Sequence, residues 1–455
     1  MKLPKNIALI LDMLENAGYE AYIVGGCVRD SLMGITPHDY DVTTSALPEE
    51  TERVFAGMRL IETGLKHGTV TVISDGEPVE ITTYRVDGEY HDNRRPDKVS
   101  FTRSLRDDIS RRDFTMNGIA YSPRRGYFDE FGGAEDIKRG VVRCIGDPDK
   151  RFREDALRIL RGMRFSASLG FEIEADTARA MLDNRELLNN ISAERIFSEL
   201  CGLLTGRFSG ENLYRVLTDF REIVGVMIPE FRECFGFEQY SRFHCFDVYG
   251  HCAMSAEKAA QISADSECRL PLTLAMLLHD IGKPQRFSRG ENGEGHFYGH
   301  AAVSADIADE ILRRLKSSNA LRERVCRIVK YHDTTLRDSD RAVRRLLSKH
   351  GLEAVRDICM AHICDDMAKK PECADRCGEW RAVMVRAELL ASSCCLTLKD
   401  LAVDGKALRG LMEPSPEMGK VLKYLLGGVV EGNFPNEYEF LMQEAAKYIA
   451  KREKT

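Results

Sequence analysis

Apolar positions in "NIALILDMLENAGYE" recur every three or four residues with acids between them, the spacing of an amphipathic helix with one buried face. The next stretch, "YEAYIVGG", is a short unbroken apolar run closed by two glycines, which predicts a buried strand ending in a turn. In "HGTVTVISDGEPVEITTYR" β-branched residues dominate, and Val79, Ile81 and Thr83 alternate with Glu80, Thr82 and Tyr84. Two strands joined at Asp75-Gly76 follow from that alternation. Helical spacing returns near Asp108 and governs the chain from Arg153 onward, in "REDALRILRGMRFSASLGF" and "SAERIFSELCGLLTG". The expected fold is α+β, a small mixed α/β head followed by an elongated, all-helical neck, body and tail.

A chain of 455 residues exceeds what one hydrophobic core accommodates. Composition shifts divide it into a head over 1–142, a neck over 143–205, a helical connector over 206–240, a domain over 241–376 that opens on aromatics and histidines, and a tail over 377–455. The polar, proline-bearing "AKKPECADRCGEW" marks the last boundary. The first helix carries acids and lacks a signal peptide's cleavage site. No run of about 18 apolar residues occurs, so no membrane span is expected and a cytoplasmic location is. The 14 cysteines are scattered, several inside apolar patterns as at Cys27, Cys201 and Cys326, and read as reduced, buried small hydrophobes. Cys373 and Cys377 have metal-type spacing but no second pair. A net charge of −7 argues against indiscriminate coating of nucleic acid, yet Arg94 to Arg164 holds 18 Lys/Arg against 12 Asp/Glu, a stretch suited to facing phosphate.

Chemistry concentrates in "GGCVRDSLMGITPHDYD". Asp39 and Asp41 alternate across Tyr40, so on a strand both carboxylates project from one face and need a cation between them. Magnesium, which takes oxygen ligands and also binds nucleotide phosphates, answers that need. Glu80, on the same face of a neighbouring strand, would complete a platform for two ions that activate a hydroxyl and stabilise departing pyrophosphate. Gly25-Gly26 would let backbone N–H groups approach a triphosphate, and Arg29 would add a charge-assisted contact.

From Tyr19 to Glu199 the motif order resembles the class II CCA-adding enzymes and bacterial poly(A) polymerases of the polymerase-β-like nucleotidyltransferase superfamily. "GGCVRDSLMG" with "DYD" matches the catalytic signature and "DDISRRDFTMNGIA" the ribose-selecting segment. "FGGAEDIKRGVVR" matches a hinge-like segment, "REDALRILRGMRF" the base-selecting helix and "SAERIFSEL" the helix after it. The resemblance implies that Arg112, Asp113 and Asn117 attend the ribose and triphosphate. Asp155 and Arg158, three apart on a helix, would share a face and offer an acceptor beside fixed donors, matching the edges of cytosine and adenine. Arg161 and Arg164 continue on nearby faces, toward phosphate or in structural roles. A polar loop around Arg94-Arg95 sits where the family's switch from C to A addition lies, and no long basic C-terminal extension of the poly(A) type follows. The implied activity is addition and repair of the tRNA CCA end from CTP and ATP. The alternatives are a poly(A) polymerase or A-adding enzyme, a phosphohydrolase with a tRNA-binding head, and a non-catalytic tRNA-binding module.

A second constellation begins at "MLLHDIGKP", where His279-Asp280 sits in an apolar helical pattern and would be costly to bury unpaired. His251, His300, His332 and a late aspartate, Asp366 in preference to Asp365, follow the order of the HD phosphohydrolase superfamily, with His296 an alternative to His300. That resemblance implies one or two divalent transition ions, such as manganese, nickel or iron, and phosphoesterase activity toward RNA ends. In the tail, "EMGKVL" opens a helix, and the family's tail contacts tRNA with a similar segment, so Lys406, Arg409, Lys420 and Lys423 are the candidate contacts.

Overall fold

The computed structural model describes residues 1–61, 68–88, 99–263, 266–335 and 339–452. The chain forms two compact units, one of 1–230 with 314–316, the other of 231–313 with 317–455.

In the first unit a seven-stranded mixed sheet runs in the order β3-β4-β5-β2-β1-β8-β9. Its strands are β1 (Ala21–Val24), β2 (Asp41–Thr44), β3 (Arg59–Ile61), β4 (Thr69–Ser74), β5 (Glu77–Thr83), β8 (Ala120–Ser122) and β9 (Gly126–Phe128), while β6 (Arg85–Asp87) and β7 (Val99–Phe101) make a separate pair. The expected hairpin is β4–β5, and Asp75 and Gly76 both take positive φ, 53° and 83°, as a tight two-residue turn requires. The amphipathic first helix, α1 (Lys5–Asn16), buries Ile7, Ile10, Leu11 and Leu14 against a core that includes Ile23, Val42, Val70 and Ile81. α2 (Gly26–Leu32), α3 (Pro48–Val54), α4 (Leu105–Ser110) and α5 (Gly133–Arg139) complete the head. A helical stretch follows: α6 (Pro148–Glu154), α7 (Leu157–Leu169), α8 (Ala175–Asp183), α9 (Ala193–Thr205), α10 (Ser209–Asp219) and α11 (Arg221–Met227).

Among the described residues the second unit is helical apart from one two-residue strand pair, through α12 (Val248–Ile262), α13 (Ser266–Leu278), α14 (His300–Arg314), α15 (Asn319–Tyr331), α16 (Asp340–Met367), α17 (Cys377–Ser393), α18 (Pro416–Val430) and α19 (Tyr438–Arg452). A small core around Leu401, Val403, Leu408, Val421, Leu425 and Leu441 holds the tail together. Among the described residues no helix is long and apolar enough to cross a membrane. The α+β class, with a sheet-bearing head and a helical remainder, is as expected. The loop around Arg94-Arg95 lies outside the described residues.

Two expectations need correction. "REDALRILRGMRF" is not one helix, because the backbone leaves helical geometry at Asp155 (φ −138°, ψ 103°) between α6 and α7. His279-Asp280 does not lie within a helix either, since α13 ends at Leu278 and the pair forms the turn that follows.

Candidate active site and metal centre

In the head, β1 delivers its C-terminal end to Gly25, whose φ of 83° a side-chain-bearing residue rarely adopts. Val24 pairs with Asp41 across β1–β2, so the glycine turn and that carboxylate start side by side. The parallel register Val42↔Ile81, carried back one residue, sets Glu80 beside Asp41 on the same face. Asp39 falls in the lead-in before β2, not on the strand, yet close enough for its charge to act on Asp41. Desolvation by the surrounding walls raises the Asp41 carboxyl above its usual range, Arg112 opposes that rise and Asp39 adds to it. A carboxylate in that position gains from a cation, and an all-oxygen donor set suits magnesium.

Asp41, but neither Asp39 nor Glu80, lines a cleft of about 440 Å³ together with Gly25, Gly26, Arg29, Arg111, Arg112, Asp113, Asn117, Asp155, Leu157, Arg158, Arg161, Phe165 and Arg195. Charge-assisted hydrogen bonds join most of its polar groups into a chain. Arg29 donates twice to Asp30 and once, at 2.8 Å, to Asn117 Oδ1. Asn117 Nδ2 donates to Asp113 Oδ1 at 3.2 Å, and Arg161 donates to Asp113 Oδ2 from Nε at 2.7 Å. Burial would raise Asp113, but the charge and hydrogen bonds of Arg161 prevail and hold it at about 2. Phe165 lies beneath this array, its ring centroid 5.2 Å from the Arg29 guanidinium carbon, 5.3 Å from that of Arg161 and 4.3 Å from that of Arg164. Asp108, fully buried, accepts from Arg111 and Arg112 and so fixes the cations that border Asp41.

Asp155 and Arg158 both line the cleft but are not the helix-face pair expected from their spacing. Asp155 Oδ1 accepts from Leu157 N at 3.1 Å and Oδ2 from Arg195 Nη2 at 2.9 Å. Arg158, only 8% exposed, donates to Glu154 Oε2, Arg151 O and Arg111 O. Arg164 pairs with Glu199 at 2.6 Å and is not part of the cleft lining.

In the second unit, His251 from α12, His279 and Asp280 after α13, and Asp365 near the end of α16 converge. His251 Nε2 lies 2.9 Å from Asp365 Oδ1, 3.3 Å from His279 Nε2 and 3.5 Å from Asp280 Oδ2. His279 Nε2 lies 3.2 Å from Asp280 Oδ2 and 3.8 Å from Asp365 Oδ1. A point equidistant from His251 Nε2, His279 Nε2 and Asp280 Oδ2, so spaced, is about 2 Å from each, the bond length of a transition ion to nitrogen or oxygen, and Asp365 Oδ1 adjoins both histidines. On the far oxygen of Asp280, His300 Nε2 lies at 3.1 Å and His332 Nε2 at 3.5 Å, with 3.2 Å between the two rings. His279, His300 and His332 each turn Nδ1 to the carbonyl three residues earlier, Met276, Phe297 and Val329, at 2.7, 2.9 and 2.6 Å. That carbonyl bond sets the tautomer that leaves Nε2 as a lone-pair donor toward the cluster. Imidazole with carboxylate suits manganese, iron, nickel or zinc.

The aspartate beside the histidines is Asp365, a correction to the preference for Asp366. One residue on a helix is a turn of about 100°. Asp366 therefore points away, to Arg376 and, at 3.0 Å, to Trp380 Nε1. His296 sits on a two-residue strand stacked against Tyr298, while His300 is at the cluster. No cysteine joins a metal-type group among the described residues, and Cys373 and Cys377 are buried. Sequence reading passed over Lys283, 2.5 Å from Asp280, Lys369, 2.5 Å from Asp365, and His244, whose ring stands edge-on to His251 at 4.8 Å. Lys283 carried a signal, four residues after His279 in "HDIGKP"; Arg195 and Phe165 lie in the quoted motifs and His244 among the histidines that open 241–376, but nothing in their spacing singled them out. In the tail, Lys406, Arg409, Lys420 and Lys423 are all exposed, and Lys420 pairs with Glu417.

Comparison with known proteins matches residues 21–143 to the family described as "Poly A polymerase head domain", 170–219 to "Probable RNA and SrmB- binding site of polymerase A", and 244–374 to "HD domain". A CCA-adding enzyme of Lactobacillus delbrueckii is 35% identical over 433 residues, covering 94% of this chain and 93% of its own. One from Geobacillus kaustophilus is 50% identical over 214 residues, 47% of this chain and 52% of its own. Among solved structures, the Bacillus stearothermophilus CCA-adding enzyme in complex with CTP superimposes with a TM-score of 0.73 at 30% identity, covering 100% of both chains. The Thermotoga maritima CCA-adding enzyme complexed with tRNA shares the fold at a TM-score of 0.61 and 20% identity, covering 97% of this chain and 94% of that one.

Proposed function

This chain belongs to the CCA-adding enzymes, a family of nucleotidyltransferases, and from that premise we propose that it builds and repairs the 3′-terminal CCA of tRNA from CTP and ATP without a template. The observation that carries the reading is the cleft in which Asp41 and the Gly25-Gly26 turn share walls with Asp155 and Arg158. Asp39, Asp41 and Glu80 are the residues that would hold magnesium, which when bound neutralises triphosphate charge and makes a sugar hydroxyl more acidic. Arg29, Arg112 and Arg161 meet the phosphates, and Asp113 aims Arg161 and Asn117. The tRNA 3′-hydroxyl oxygen bonds to the α-phosphorus, the bond from that phosphorus to the bridging oxygen breaks, and pyrophosphate leaves. Preorganised cations favour the transition state because they need no rearrangement as charge develops.

Base choice rests on Asp155, which accepts from the exocyclic amine of cytosine or adenine, and on the remaining N–H groups of Arg158, held stiff by Glu154 and two carbonyls. Uracil and guanine present the wrong edge. Lys406, Arg409, Lys420 and Lys423 are the tail's proposed tRNA contacts. Incubation with tRNA lacking its terminal CCA and each labelled nucleotide should incorporate C and then A only. Incorporation of UTP or GTP overturns the base-selection argument, and long A tails return the poly(A) reading.

A second activity is favoured by the four-cornered cage of His251, His279, Asp280 and Asp365: metal-dependent hydrolysis of phosphoesters at RNA ends, 2′,3′-cyclic phosphates among them. Protein loaded with manganese or nickel should hydrolyse such esters and His279→Ala should not. No activity in either, with cyclic or simple phosphate esters, would leave the cluster a structural one.

A further inference from the structure

His244 adjoins the histidine-aspartate cluster, and the preceding roles do not use it. Among the described residues neither of its ring nitrogens has a hydrogen-bond partner, although both atoms are buried. A buried polar group left unpaired is costly and calls for a missing partner. Nitrogen and oxygen atoms of His244, His251 and Asp280 lie within 4.8 Å of one another. His244 nonetheless makes no hydrogen bond to any cage residue, whose own recorded separations are 2.9–3.8 Å. Without such a contact, His244 stands beside the cage residues and leaves both ring nitrogens to a further partner.

The surroundings of the ring suit an anion. The cations of Lys283 and Lys369 both act on His244, along with the carboxylate of Asp280. A neutral imidazole has one N–H to give and one lone pair. Its neighbour Phe243 lines an open cleft of about 460 Å³ with Arg242, Lys370, Arg376, Cys373 and one acid, Glu372. Phe243 O also accepts from Lys370 N at 2.9 Å, tying this strap to the end of α16 that carries Asp365 and Lys369.

We infer that His244 donates a ring N–H to a phosphate oxygen of the ester hydrolysed at this cluster, and so positions the phosphorus for water. The inference rests on the phosphoesterase reading. In the step concerned, water's oxygen bonds to phosphorus, the ester P–O bond breaks, and the alcohol oxygen leaves with a proton. His244 fixes the ester and neither gains nor loses a bond to phosphorus.

The test uses the full chain titrated with manganese, then with inorganic phosphate by calorimetry, alongside kinetics on a 2′,3′-cyclic nucleotide. His244→Ala should bind manganese within about twofold of the wild type, bind phosphate at least tenfold more weakly, and raise KM by a similar factor. His244→Gln, whose amide can donate from nearly the same place, should recover part of both losses. A rise of tenfold or more in the manganese Kd of His244→Ala would make His244 a metal ligand and overturn the inference. So would unchanged phosphate binding in an active, folded variant. If the wild type itself, loaded with manganese, neither binds phosphate nor hydrolyses the ester, the phosphoesterase reading fails first, and the inference falls with it.

Discussion

Asp365 and Asp366 are adjacent acids with opposite placements, and neutralising each in turn tests the proposed metal centre most directly. Asp365 Oδ1 is a corner of the cage, 2.9 Å from His251 Nε2 and 3.8 Å from His279 Nε2. Asp365→Asn keeps the shape and removes the charge. Loss of a residue that merely orients a ligand lowers metal affinity 10–100-fold, so loss of an anionic corner should reach at least the upper end. A 100-fold rise in Kd is about 2.7 kcal/mol. Asp366 is 2% exposed and bonded to Trp380 and Arg376, remote from the lone pairs of the histidines. Asp366→Asn can still accept from the indole but no longer neutralises Arg376. Because Arg376 keeps 52% of its side chain in solvent, the cost should be about 1–2 kcal/mol of stability, below that of a fully buried broken pair. The assay is manganese titration by calorimetry with thermal unfolding of the metal-free protein. Asp365→Asn should lose affinity, and Asp366→Asn should lose melting temperature with its manganese Kd within about twofold. The reverse pattern would refute the orientation read from α16.

Other expectations follow from the head. Asp41→Asn should lower nucleotide incorporation by at least about 10³-fold while tRNA binding, followed by gel shift, stays within a few fold, since the site's charge stabilisation is lost and the RNA surface is not. Arg195→Met frees Asp155 Oδ2 from its 2.9 Å partner, and misincorporation of UTP or GTP should rise about tenfold in single-nucleotide assays. At Gly133 an added Cβ would sit 2.1 Å from the Thr115 carbonyl oxygen, so Gly133→Ala should cost about 1–3 kcal/mol in urea unfolding and weaken CTP binding through the turn that carries Asn117. Asp113 is held at about 2 against 3.8 unperturbed, a folded-state pKa below the unfolded one. Its contribution of about 2 kcal/mol is therefore present above pH 5 and fades as pH falls toward 2. The stability gap between wild type and Asp113→Asn should accordingly narrow by about 1 kcal/mol from pH 6 to pH 3, and a gap that widened would count against the pairing.

What the sequence made legible differs between sites for a physical reason. Strand alternation was readable because it has period two and one face is buried, so Val79 and Ile81 in the core also fixed Glu80 as outward and, through the β2–β5 register, as a neighbour of Asp41. The histidine order was readable through its resemblance to the HD phosphohydrolases, and His279-Asp280 because polar groups in an apolar run need partners. Where reading fell short, the missing quantity was a direction. On a helix, adjacent positions differ by about 100°, and near the end of α16 nothing in "CDDMAKKP" says which acid faces inward. The structure decides it through Trp380 and Arg376 of the following segment, which claim Asp366 and leave Asp365 for His251. The same logic applies at Asp155. Three-residue spacing predicted a shared helix face with Arg158, but an aspartate whose side chain can cap the next turn competes with helix continuation. Here it does so, accepting from Leu157 N and splitting α6 from α7. The break turns Asp155 toward Arg195, forty residues on, and leaves Arg158 to Glu154. The two residues proposed to recognise the base are thereby fixed independently, Asp155 by a cap and Arg158 by an ion pair. Substitution of Glu154 should therefore loosen Arg158 without moving Asp155, a separation that a single helix face would not allow.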